Sequence, residues 1–169
     1  NQKAIGLYKR CGFLWVPDSD VFMVNYIPQI IRLPVVTDFL GDMDWYQLLK
    51  TRCTLTPDDF KIGKMRAFRY QFQRDNHQTV LIVDRITDEI SGIETDEFSI
   101  QIRADNSDGW RGFPRHILWE YQNKSNSKVD VHIQFEGQAG VVHSSNNQLR
   151  IEPKDRESGV FAVELPMDI

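Results

Sequence analysis

Apolar residues recur at helical spacing at the start of the chain, where Ala4, Leu7, Tyr8 and Cys11 stand at i, i+3, i+4 and i+7. Asn1 precedes this stripe as a good N-cap, and Lys9 and Arg10 place cations where the helix dipole is negative. Gly12 suits the left-handed position just past a helix end, with Phe13 packing back as the hydrophobic closer of that cap. The segment therefore predicts a short capped helix. Phe13–Val16 and Val21–Tyr26 then read as two strands joined by the turn Pro17-Asp18-Ser19-Asp20. Pro28 and Pro34 bracket Gln29–Leu33, which reads as a connector. From Thr37 or Asp38 to Lys50 the spacing of Phe39, Met43, Trp45, Tyr46, Leu48 and Leu49 is more helical than strand-like. Gly41 weakens a helix through that stretch, and a start only near Asp42 or Asp44 is the alternative. Thr56-Pro57-Asp58-Asp59 has the form of a cap with proline at the first helical position.

From Lys64 onward the period changes to two. Phe68, Tyr70 and Phe72 alternate with Arg69, Gln71 and Gln73, and the turn Arg74–His77 leads into Thr79–Val83. Further strands are expected at Glu89–Glu94, Phe98–Arg103, His116–Gln122, Val141–His143, Leu149–Ile151 and Val160–Leu165. Val129, Val131, Ile133 and Phe135 against Asp130, His132, Gln134 and Glu136 give the cleanest half-buried strand. The Asn123–Ser127 turn suits a hairpin between its two flanking strands. Many short alternating strands without long helices between them predict a mainly β chain, an antiparallel immunoglobulin-like β-sandwich preceded by a short α-helix and β-hairpin. The expected division is residues 1–34 for the helix and hairpin, and 35–169 for a short helical segment followed by the sandwich.

Composition narrows the function classes. With 169 residues, 41% hydrophobic and 26% charged, the chain has the make-up of a globular protein with a core. A net charge of −4 and a pI near 5.5 argue against a general nucleic-acid or anionic-membrane surface. No apolar run approaches the roughly 18 residues that span a bilayer. The chain lacks a signal-peptide pattern and does not start with Met, so a processed or expressed fragment is expected. Cys11 and Cys53 form no disulfide framework, and Cys11, on the apolar stripe, reads as a small buried hydrophobe. A reducing, cytoplasmic setting is expected.

Asn1, Ala4, Leu7, Tyr8, Gly12 and Phe13 together resemble the N-x-x-A-x-x-L-Y-x-x-x-G-F signature near the end of the GNAT N-acetyltransferase domain. The following hairpin and Tyr26-Ile27-Pro28 are similar to the way many members close that domain. The resemblance covers about the first fifth of the chain, and the remainder reads as an accessory domain. It implies transfer of acetyl from acetyl-CoA to an amine, with the motif helix beside the cofactor's pantetheine arm. Tyr8 would be the general acid that protonates the departing CoA thiolate, Asn1 would help hold acetyl-CoA, and Ala4 and Leu7 would line its apolar channel. The family's pyrophosphate cradle, a Q/R-x-x-G-x-G/A turn that opens an earlier helix, is not in this sequence. The chain alone is therefore expected to be inactive and to depend on an upstream part of the acetyltransferase domain. The sandwich would position substrate or mediate assembly.

The apolar positions of helix and hairpin have no sheet of their own to join. They are expected to pack against the rest of the chain or against a second copy, so self-association through this segment is possible. Other residues carry weaker signals. His77, His116, His132 and His143 lack ligand spacing and read as solvent-facing. Asp42 and Asp44 lack the further oxygens of a calcium loop. Lys64, Arg66 and Arg69 read as a charged strand edge that resists edge pairing. Trp119 alternates with Ile117 and Tyr121 and reads as core. Trp110, in a loop near Phe113, supports the competing reading of a non-enzymatic β-sandwich module for carbohydrate or protein.

Overall fold

A computed structural model describes residues 2–15, 23–52, 67–84, 87–104, 114–134, 141–143 and 147–164. The chain is mainly β, its strands pair antiparallel, and it forms two compact units, Asn1–Thr95 and Asp96–Ile169. No helix among the described residues is long and apolar enough to cross a membrane.

Unit 1 opens with α1 (Gln2–Arg10) and the short hairpin β1 (Leu14–Trp15) and β2 (Met23–Val24), with Leu14 opposite Val24. Three short helices follow: α2 (Ile27–Ile30), α3 (Pro34–Leu40) and α4 (Trp45–Leu48). This differs from the expected connector. Pro28 and Pro34 fall in the first turns of α2 and α3, where the missing N–H has no helical acceptor to lose, so both prolines start helices. α3 ends at Gly41, whose φ of 55° is easy only for glycine, and α4 begins after Asp44.

The strands β3 (Leu49–Arg52), β4 (Ala67–Arg74), β5 (His77–Asp84) and β6 (Ile90–Glu94) then form a meander, each pairing with the next. The alternation in β4 places Phe68, Tyr70 and Phe72 on one face, all fully or almost fully buried, and Leu81 and Val83 of β5 share that face. The layer that covers it is helical. Tyr26, Ile27, Ile30, Val36, Leu40 and Leu48 pack there together with Leu14 of the hairpin. Arg69 lies on the other face. It is not on a strand edge, because β4 pairs with β3 on one side and β5 on the other, and its guanidinium pairs with Glu94 at 3.2 Å.

One buried hydroxyl ties the motif segment to this core. The Tyr70 O–H donates to the Gly12 carbonyl at 3.2 Å and accepts the Tyr26 N–H at 3.1 Å. Removal of that hydroxyl leaves two backbone groups without these partners in a dry setting, each worth about 1 kcal/mol. Tyr70→Phe is therefore expected to lower the unfolding free energy by about 2 kcal/mol. A urea midpoint shift at unchanged slope would report it, and no shift would mean that the Tyr70 hydroxyl does not hold this segment.

Unit 2 contains β7 (Phe98–Ala104), β8 (Pro114–Asn123), β9 (Val129–Ile133), β10 (Val141–His143), β11 (Asn147–Ile151) and β12 (Arg156–Glu164). β8 pairs with β7 and β12, β12 also pairs with β10, and β9 and β11 form a separate ribbon. Trp119, Ile133 and Phe161 form the core between sheet and ribbon, with Ile117, Tyr121, Val131 and Leu149 around them. The Asn123–Ser127 segment is not a hairpin turn, since β8 and β9 do not pair. It carries the chain from the sheet to the ribbon. The expected cap at Thr56–Asp59 and the position of Phe135 lie outside the described residues.

Candidate functional site

α1 is held at its C-terminal end by the cap that the sequence predicts. Gly12 has φ 84°, its N–H donates to the Lys9 carbonyl at 3.1 Å, and the Phe13 N–H reaches back to the Tyr8 carbonyl at 3.0 Å. The Tyr8 and Phe13 rings meet edge to face with centroids 5.5 Å apart. A side chain at Gly12 would collide with Ile27 and strain the backbone as well. Asn25 adds a further tie. Its amide donates to the Cys11 carbonyl at 3.1 Å, and its carbonyl oxygen accepts the Ile27 N–H at 2.9 Å. The end of α1 is thus fixed to the start of α2 by side-chain and backbone bonds.

The face that this cap orients is open. α1 has no buried residue; Ala4 is half-buried, and Leu7 and Tyr8 are 53% and 48% exposed. Helical spacing puts these three on one side. Cys11 is a correction to the sequence reading, being an exposed free thiol and not a buried apolar residue. Gly12 and Phe13 serve the cap, while Ala4, Leu7 and Tyr8 form a surface. Asn1 lies outside the described residues, as do Cys53, Lys64, Arg66, Trp110 and Phe113.

Elsewhere the candidates separate. His77, His116 and His132 are exposed, and among the described residues no group of three or more His, Cys, Asp or Glu could hold a metal ion. Asp42 and Asp44 are both exposed. The Tyr46 O–H donates to Asp44 at 2.6 Å, and this bond, with the nearby carboxylate charge, raises the phenol above its ordinary value. Trp119 is core, at 3% exposure. An open groove of about 450 Å³ runs along β9 and β11, where Asp130, His132, Gln148 and Arg150 face outward and Arg150 approaches Asp130 at 3.5 Å. Both side chains of that pair are mostly exposed, so the ion pair contributes little.

Two structural residues escaped the sequence reading. Tyr70 looked like one more aromatic of an alternating strand. Asn123 looked like an ordinary turn residue, yet it is fully buried with both ends of its amide engaged. A turn asparagine followed two residues later by serine was the available signal, since such side chains bond backbone nearby. Comparison with family models, with curated proteins and with solved structures finds no match for this chain.

Proposed function

We propose that this chain is the C-terminal portion of a GNAT-type N-acetyltransferase, with α1 as the helix that lies beside the pantetheine arm of acetyl-CoA. The observation that carries the reading is the exposed, rigidly capped face of α1, on which Ala4, Leu7 and Tyr8 stand together. When bound, acetyl-CoA supplies an acetyl thioester for attack by an amine. Tyr8 then gives its phenolic proton to the departing sulfur, as a positioned general acid does. Ala4 and Leu7 line the apolar channel, and Asn1 helps hold the cofactor. Those residues suit only one side of the cofactor. No glycine-rich turn in this sequence offers backbone N–H groups to a pyrophosphate, so the chain by itself is inactive and binds acetyl-CoA poorly.

The upstream part of the same domain is the partner that covers Leu7 and Tyr8. Without it, the exposed stripe promotes self-association of the chain. The strand-rich remainder is an immunoglobulin-like sandwich that positions substrate or mediates assembly. A reducing cytoplasm keeps the exposed Cys11 thiol free. The test uses the whole gene product. Tyr8→Phe is expected to lower kcat roughly a hundredfold, with acetyl-CoA affinity nearly unchanged. A variant with wild-type kcat at every pH would exclude Tyr8 as the acid.

A further inference from the structure

Arg103 of β7 carries a guanidinium nitrogen that the fold leaves without a partner. It is half-buried, and its Nη1 is closed to solvent with no hydrogen-bond acceptor in reach. Among the described residues no carboxylate forms an ion pair with it. The register puts Arg103 directly opposite Leu118 of β8, which in turn faces Val160 of β12. These three share the sheet face opposite Trp119 and Phe161. Glu120 is the diagonal carboxylate on that face, and it is taken by Arg156 at 3.1 Å. A shielded guanidinium N–H without an acceptor is costly, and native proteins seldom keep one without a ligand or a task.

We propose that Arg103 anchors a binding site for a small organic carboxylate. The planar guanidinium takes the oxyanion, and the half-buried Leu118 and the 51% exposed Val160 beside it take the hydrocarbon body. The site lies wholly in unit 2 and does not rest on the acetyltransferase reading. It also makes a prediction about stability. A shielded guanidinium N–H without an acceptor destabilises the ligand-free protein, so replacement of Arg103 by an apolar side chain of similar length is favourable.

The experiment is a titration of the whole chain with hexanoate, acetate and inorganic phosphate, followed by backbone amide NMR. Hexanoate is expected to give saturable shifts at residues 101–103 and 118–120. It should bind at least about fivefold more tightly than acetate because of its added hydrocarbon. Arg103→Gln should weaken hexanoate at least about tenfold through loss of the charged hydrogen bonds, whereas Arg150→Gln, at an exposed arginine of β11, should bind as wild type does. If Arg103→Gln does not fold, Arg103→Lys takes its place, with several-fold weaker binding expected because the fork is lost. Arg103→Met should raise the melting temperature by a few degrees. Shifts scattered over lysines and arginines, binding unchanged by Arg103→Gln, tighter binding of phosphate than of hexanoate, or a lower melting temperature for Arg103→Met would each overturn the proposal.

Discussion

Asn123→Leu will cost unit 2 about 4 kcal/mol, because one buried amide joins three segments of backbone. Its Nδ2 donates to the carbonyls of Ser127 at 2.7 Å and Glu152 at 3.1 Å, with that of Ile151 at 3.4 Å. Its Oδ1 accepts from the Ser125 N–H at 3.0 Å and the Ser125 hydroxyl at 2.7 Å. The side chain therefore fastens the end of β8, the crossing to β9 and the turn between β11 and β12. Leucine of similar size keeps the volume and loses every one of these bonds, while the carbonyls stay where they are. Asn123→Asp is the sharper test. A carboxylate would face three carbonyl oxygens with no proton to offer, so its pKa is raised in the folded state. The penalty is then full at neutral pH and eases as acid protonates the carboxyl. Urea unfolding of both variants across pH would show it; a loss below 1 kcal/mol would mean that the crossing is held by something else. The same burial closes the Asn123-Lys124-Ser125 match to a glycosylation acceptor in the folded protein.

Gly159→Val will cost about 3 kcal/mol, by overpacking. Gly159 is directly opposite Trp119, and a Cβ built there would stand 2.5 Å from the indole Cζ2 and 2.7 Å from Cε2. The indole lies across the glycine backbone and needs that space. It cannot swing aside easily, for it is a core residue whose ring centroid is 6.3 Å from that of Phe161. Glycine in a strand is ordinarily a weakness; here the close approach of an aromatic ring explains it. Gly6 supplies the contrast. It sits mid-helix in α1 with nothing within 4 Å of an added Cβ, so Gly6→Ala should stabilise by about 0.5–1 kcal/mol. Opposite signs for glycine replacements at these two sites, read as melting temperatures, are the expected result. A stabilising Gly159→Ala would show that Trp119 does not need the space.

What was legible in the sequence was local. The cap of α1 is written in Gly12 and Phe13, because left-handed geometry and a hydrophobic closer leave few other readings. The alternation of β4 and of Ile117, Trp119 and Tyr121 gave the buried faces directly, since strand period fixes which side chains share a face. Partners were not legible. Pro34 ends one conformation or starts another depending on what packs behind it, and the buried Val36 and Leu40 decide for a helix. Arg69 has an edge-like composition, but its strand is interior. The turn at Asn123 separates two strands of opposite layers, which no turn composition can distinguish from a hairpin. Of the candidate site, the shared face of Ala4, Leu7 and Tyr8 followed from spacing, whereas the exposure of Cys11 depended on where α1 meets the rest of unit 1, which spacing alone does not give.

If α1 is, as proposed, one wall of an acetyl-CoA site completed by an upstream segment, the whole gene product binds acetyl-CoA. Calorimetric titration of acetyl-CoA into the whole gene product, followed by hydrogen exchange of the α1 amides, is the deciding measurement. Saturable binding that protects the α1 amides of Leu7 and Tyr8 from exchange is expected, in a protein whose gene encodes a glycine-rich phosphate-binding turn ahead of Asn1. A gene product that lacks such a turn and takes up no acetyl-CoA would contradict it.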